Sequence, residues 1–358
     1  MRYDAVRAAP ELVEVPEPAC PPGGAVLAVH ATGVCRSDWH AWAGHEPVSL
    51  PHVPGHEMAG QVLSVGAGVL RWRPGDRVTL PFVCGCGACT YCAAGEPQVC
   101  PHQTQPGFTG PGTFAEQVAV HAADTNLVAL PTGLDDVAAA SLGCRFATAY
   151  RAVAQHARVQ PGQWLAVHGC GGVGLSAVMI GVALGARVLA VDVTTAALDR
   201  ARSLGASAVL DATALGSPDL VGAAARELTQ DGAHASVDAL GSAATAVASV
   251  LSLRRRGRHV QVGLLHGGEA TPPLPMDRVV AQELEVYGSH GMAAADYPAM
   301  LALVADGRLR PELLVGEVID LEQAGAALMA MGEPGRGPGM TVVRVRAGRG
   351  PRPRPAQA

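Results

Sequence analysis

Cys86, Cys89, Cys92 and Cys100 stand in the spacing C-x2-C-x2-C-x7-C. Four thiolates grouped in this way can enclose one tetrahedral zinc at about 2.3 Å per bond, leaving no open position, which makes such an ion structural. Four free thiols packed so densely would be an oxidation liability without a metal. A zinc finger for nucleic acid would need a basic recognition helix nearby, but between Cys84 and Cys100 the only charged residue is Glu96. Cys84, a fifth thiol beside the group, is read as packed, and Cys20 and Cys170 as structural. The second motif is Gly169-Cys170-Gly171-Gly172-Val173-Gly174, a G-x-G-x-x-G that follows the apolar run Trp164–His168 and has Asp192 18 residues beyond Gly174. In that context Gly169 permits a tight turn, Gly171 lets backbone approach a pyrophosphate and Gly174 allows close helix–strand packing. The helix start, with Gly172 and Val173, offers free N–H groups to phosphate. Asp192 is placed to accept the adenosine ribose hydroxyls and repel a 2′-phosphate, which favours NAD over NADP.

Cys35, His40, His56-Glu57 and Cys144 are spread over 110 residues, and no local spacing rule joins them. Five segments do so together: Gly33-Val34-Cys35-Arg36-Ser37-Asp38-Trp39-His40, Gly55-His56-Glu57, the four-cysteine lobe, Leu142-Gly143-Cys144 and the glycine motif. In order along the chain, these resemble the zinc-dependent alcohol dehydrogenases of the medium-chain dehydrogenase/reductase family. The resemblance implies that Cys35, His56 and Cys144 hold a catalytic zinc with one open position, so that two zinc ions are bound per chain. Two thiolates and one imidazole are a known catalytic set. Asp38 matches the carboxylate that orients the zinc-bound histidine, Glu57 an assisting residue beside the zinc, and Arg36 a contact to the cofactor pyrophosphate. Val262-Gly263 and Gly288-Ser289 fall where the family's backbone meets the nicotinamide amide. Phe82 and Phe114 match positions lining the substrate cleft.

Zinc acts on an alcohol as a Lewis acid, and the deprotonated alcohol then gives hydride to the nicotinamide. Ser37 is expected to take the hydroxyl proton and pass it through the ribose hydroxyls to His40, whose unperturbed pKa suits exchange near neutrality. The expected activity is reversible hydride transfer between NAD and a primary or secondary alcohol, with the aldehyde or ketone as product. Polyol, threonine or formaldehyde dehydrogenases of the same family are the nearest alternatives. A cofactor-binding structural protein without activity is the alternative of another class.

Positioning these residues requires two kinds of scaffold. Residues 1–145 carry short valine-rich runs such as Ala25–Val29, Gly60–Val65 and Asp76–Leu80 between Gly and Pro, the texture of an irregular β body. From 146 to 290, strands (Trp164–His168, Arg187–Asp192, Ala208–Asp211, Ser236–Leu240, His259–Gly263) alternate with helices (Val173–Leu184, Ala196–Leu204), predicting a doubly wound parallel sheet. Residues 291–346, with helices at Tyr297–Asp306 and Leu321–Met331 and a strand at Met340–Val345, read as a return to the first body, and 347–358 as a disordered Arg/Pro/Gly tail. The resemblance makes the fold α/β: a GroES-like catalytic domain plus a Rossmann cofactor domain with the active cleft between them, assembled as a homodimer or homotetramer.

All 26 basic residues are arginine, and the absence of lysine excludes Schiff-base chemistry and a G-K-[ST] phosphate loop. A net charge of -5 and 4% aromatics argue against a nucleic-acid partner. No apolar run reaches the roughly 20 residues of a membrane helix, and no signal sequence opens the chain. The expected setting is cytoplasmic, with a small-molecule alcohol or carbonyl compound as partner.

Overall fold

A computed structural model of the chain describes residues 1–333, 337 and 339–345. The expected tail, Ala347–Ala358, lies outside the described residues. The strands are β1 (Ala25–Val34), β2 (Met58–Val65), β3 (Arg77–Thr79), β4 (Gln117–Val120), β5 (Val128–Ala129), β6 (Trp164–His168), β7 (Arg187–Asp192), β8 (Ala208–Asp211), β9 (Ala233–Asp238), β10 (Leu253–Gln261), β11 (Glu285–Gly288), β12 (Val315–Asp320) and β13 (Met340–Arg344).

β1 is the hub of the first sheet, ordered β12-β13-β1-β2-β3-β5 with β4 also on β1. Its Val, Leu and Ala side chains are buried along nearly its whole length, as befits a strand covered on both faces. Its end, Ala31–Val34, pairs with Thr341–Arg344 of β13, so the return segment closes the sheet where Cys35 begins. Leu27, Met58, Val62, Val78 and Phe114 fill the core beneath.

The second sheet is wholly parallel, in the order β11-β10-β9-β6-β7-β8. Strand order reverses between β6 and β9, and the crevice outside the carboxyl ends at such a switch point is where nucleotides bind. Gly169–Gly174 leaves β6 at that crevice and enters the helix Gly172–Ala183. A helical run over 136–157 passes from the first body to the second, widening into π-helical turns at Leu142–Phe146 and Arg151–Ala157.

Several elements depart from the sequence reading. β9 and β10 begin earlier than the Ser236 and His259 starts, because polar Ala-His and Arg-rich segments precede their apolar halves. The segment Leu321–Met331 is a 3₁₀ turn, the helix Ala324–Met329 and a second tight turn. The first body also contains the helix Arg36–Trp42, which has too few residues to show an apolar period.

Candidate active site

The donor atoms of Cys35, His56, Glu57 and Cys144 lie within 4.8 Å of one another, all on buried residues. Cys35 is delivered by the end of β1 and precedes the helix Arg36–Trp42. Cys144 comes from the π-helical turn, a local widening that often marks functional positions. His56 follows Gly55, whose φ of +105° and 2.5 Å approach of Phe114 to any added Cβ require glycine there.

Asp38 fixes this cluster from behind. Its Oδ1 accepts from His56 Nδ1 at 2.8 Å and from the Gly55 N–H at 3.0 Å, and its Oδ2 accepts from the Cys35 N–H at 3.1 Å. With Nδ1 committed to the carboxylate, His56 Nε2 is buried with no hydrogen-bond partner. A lone imidazole nitrogen facing two sulfurs is what a thiophilic divalent metal requires. The adjacent Cys144 thiol, with His56 and Arg145 close by, holds the Cys35 thiol well below its ordinary range, and Cys144 is raised in turn.

Glu57 is paired rather than free. Arg145 Nε donates to its Oε1 at 3.0 Å and Nη2 to its Oε2 at 2.5 Å, and the Arg145 N–H adds a third bond at 3.1 Å. Burial still leaves the Glu57 carboxyl raised despite the guanidinium. Arg145 was not singled out in the sequence, where an arginine directly after Cys144 in an apolar helical run was the available signal.

Ser37 Oγ lies 3.9 Å from Cys35 Sγ. His40 Nδ1 is 2.9 Å from His45 Nδ1, and the His266 ring lies 4.6 Å away. Burial, with His266, His45 and Arg36 close by, pushes His40 down to about 4, below the near-neutral value expected from sequence. His45, another residue the sequence reading passed over, is the next imidazole outward.

A cleft of about 560 Å³ between the bodies is lined by Cys35, Arg36, Ser37, His40, Phe82, Cys144 and Arg145 on one side. Gly171, Gly172, Val173, Asp192, Val262, Gly263 and Ser289 line the other. Gly169 (φ +88°) makes the turn, and a Cβ on Gly174 would lie 1.8 Å from the Gly169 carbonyl oxygen. Asp192 accepts from the Cys170 N–H at 2.6 Å and from the Val193 and Thr194 N–H groups at 2.8 Å each, which fixes its carboxylate at the cleft edge. Thr148 Oγ1 and Ser289 Oγ line the same cleft, buried and without partners. Gly288 ends β11 just short of it.

The two phenylalanines part company. Phe82 lines the cleft, 6.0 Å ring to ring from His56 and 5.1 Å from His290. Phe114 is fully buried in the β core and lines no part of the cleft, because the tight backbone at Gly55 packs directly on its ring. Phe108, not picked out in the sequence, takes the place beside His56 at 5.3 Å.

In the lobe, Cys89 lies 3.5 Å from Cys92 and 3.6 Å from Cys100, and Cys86 lies 4.0 Å from Cys92, sulfur to sulfur. A tetrahedral zinc with bonds of about 2.3 Å sets its sulfurs about 3.8 Å apart. Backbone N–H groups of Cys86, Ala88, Cys92 and His102 point at these sulfurs at 3.3–3.5 Å. The Ala88 and Cys89 N–H groups bring Cys86 down to about 6. Cys84 is buried apart from them, its thiol on the Pro81 carbonyl at 3.5 Å and pushed up to about 12 by burial.

Two metal-competent donor sets, one of them beneath a dinucleotide crevice, define a two-body dehydrogenase architecture. Comparison with known proteins agrees. Residues 21–132 match the alcohol dehydrogenase GroES-like domain and residues 172–306 the zinc-binding dehydrogenase domain. An alcohol dehydrogenase of Geobacillus stearothermophilus is 32% identical over 339 residues, 94% of this chain and 96% of that protein. A sorbitol dehydrogenase of Halalkalibacterium halodurans is 31% identical over 84% of this chain and 86% of its own length. The structure of alcohol dehydrogenase TADH from Thermus sp. ATN1 superposes with a TM-score of 0.88 at 31% identity, covering 97% of this chain and 100% of that one. A Sinorhizobium meliloti protein described as a zinc-binding dehydrogenase bound to NADP superposes at 0.84 with 25% identity, covering 96% of this chain and 98% of that one. The chain belongs to the zinc-binding alcohol dehydrogenases of the medium-chain dehydrogenase/reductase family. No helix among the described residues is long and apolar enough to cross a membrane.

Proposed function

We propose that the chain is a zinc-dependent, NAD-preferring alcohol dehydrogenase acting on primary or secondary alcohols and the corresponding carbonyl compounds. The observation that carries this reading is the unpartnered, buried His56 Nε2 facing Cys35 and Cys144 at the cleft floor. Cys35, His56 and Cys144 hold one zinc there, and Cys86, Cys89, Cys92 and Cys100 hold a second, closed one. The open-site ion supplies Lewis acidity toward an alcohol oxygen, and the dinucleotide supplies the hydride acceptor.

The protein's own groups do the rest. Ser37 takes the alcohol proton as its own hydroxyl proton moves on toward His40, which burial keeps neutral at pH 7 and which passes a proton to His45, 2.9 Å away. Arg36 and the N-terminus of the helix Gly172–Ala183 face the pyrophosphate, and the Val262-Gly263 backbone and Ser289 face the nicotinamide amide. The fixed Asp192 carboxylate takes the ribose hydroxyls and disfavours a 2′-phosphate, so Asp192→Gly is expected to narrow the NAD/NADP preference about tenfold. Phe82 gives the substrate end an aromatic wall, suiting a simple alcohol better than a polyol. The sorbitol dehydrogenase relative makes the polyol the alternative to test. The edge strand β11, with Val286 exposed, is the place for subunit pairing in a dimer or tetramer.

Metal analysis together with initial rates on primary, secondary and aromatic alcohols and sorbitol, with NAD and NADP, tests the reading. About two zinc ions per chain and faster turnover of simple alcohols with NAD are expected. One zinc or none, with no alcohol oxidised, would overturn it.

A further inference from the structure

Arg145 is a fully charged side chain in a place where charge is costly. The residue is 6% exposed and its partner Glu57 is wholly buried. Two of its three guanidinium nitrogens, Nε and Nη2, are spent on the two Glu57 oxygens. The third, Nη1, makes no hydrogen bond to any described residue, although Arg145 lines the cleft. Its stem lies across the first turn of the helix Gly172–Ala183. A Cβ on Gly172 would come within 2.6 Å of Arg145 Cδ and 3.4 Å of Nη1, so the glycine makes room for the arginine. The same crowding holds on the far side, where a Cβ on Gly33 would meet Glu57 Oε2 at 2.0 Å and Arg145 Nη2 at 2.9 Å. A lone buried ion pair gains little over apolar packing. A guanidinium that keeps one nitrogen aimed at a phosphate-binding helix start has a further use, since its fork geometry suits two anions at once.

We propose that Arg145 is shared between two anions: its Nε and Nη2 hold Glu57 beside the metal site, while its Nη1 binds the dinucleotide pyrophosphate at Gly172. Together with Arg36 it sets two cations against the two phosphate charges. The sharing makes the sites interdependent. A phosphate bound at Nη1 draws charge from the Glu57 pair, and Glu57 in turn reduces what the guanidinium can give the phosphate. Linkage requires the two effects to be reciprocal. Arg145 therefore carries information between the cofactor crevice and the carboxylate next to the metal ligands.

The inference rests on the dinucleotide reading above, and NADH binding to the zinc-loaded protein, followed by fluorescence, tests the two separately. Wild-type protein that binds neither NADH nor NADPH sinks the cofactor reading itself. Given wild-type binding, Glu57→Gln is expected to lower Kd by about twofold or more, because the guanidinium is released to the phosphate. The double variant Glu57→Gln with Arg145→Met removes both buried charges together, so no unpaired ion is left to unfold the site. It is expected to raise Kd above wild type by about fivefold or more, the loss of one charge-assisted hydrogen bond. A merely structural ion pair moves both variants the same way or neither. Any pattern other than tighter for the single variant and looser for the double one overturns the proposal.

Discussion

The lobe's four sulfurs come from residues 86–100, and N–H groups of the same loop point at Cys86, Cys89 and Cys100. Cys35, His56 and Cys144 come from a strand end, a loop and a π-helical turn, and their support is the distant Asp38, with Glu57 and Arg145 alongside. A closed shell can be built locally, because backbone within a short loop suffices to complete four equal ligands. An open position needs unequal neighbours brought from several elements, so that one side of the ion is left to the cleft.

The contrast breaks most sharply at the open site. Cys35→Ala or His56→Ala is expected to lower kcat by about a thousandfold or more, with NADH affinity within a few-fold of wild type by fluorescence titration. Retained turnover in either variant would remove the cleft floor from the chemistry. Next in size is the lobe. Cys89→Ser is expected to lose one zinc and to lower the thermal midpoint by about 5–10 °C, while protein that remains folded keeps its specific activity. Loss of activity at an unchanged melting temperature would reverse the two roles.

Asp38→Asn sharpens the comparison, since the lobe has no counterpart to that carboxylate. The amide cannot hold His56 in the same tautomer, and metal affinity or activity is expected to fall about 10–100-fold, read by chelator competition. The lobe's zinc should be untouched in the same experiment. The smallest effect concerns proton traffic, which only the open site needs. The His40 imidazole is depressed, so it gains its charge only as pH falls through about 4. Between pH 7 and 5 its NMR titration curve should stay flat, and a midpoint near 6.5 would contradict the packing of His40 against His266 and His45.

The parallel sheet was legible in the sequence because β6, β7 and β8 are continuous apolar runs bounded by turns, and their limits match residue for residue. The lobe was legible because its spacing is local. The open site was not readable from spacing at all and rested on resemblance to a family. Arg145 and Phe108 escaped for a common reason: each meets its partner far along the chain, Arg145 at Glu57, 88 residues away, and Phe108 at the His56 ring. Phe114 misled in the opposite sense: an aromatic near the motif in sequence is held in the core by the turn at Gly55.

The pairing of β1 with β13 sets Ala31–Val34 beside Thr341–Arg344, strands from opposite parts of the sequence. A ribosome adding about 5–20 residues per second needs roughly 15–60 s to travel from one strand to the other. During that interval the edge of β1 at Ala31–Val34 waits for its partner, and so does the core of the second body, which counts Met340 of β13 among its residues. The sheet edge beside Cys35 is therefore closed only once β13 has emerged, although Cys35, His56 and Cys144 themselves lie within the first 144 residues.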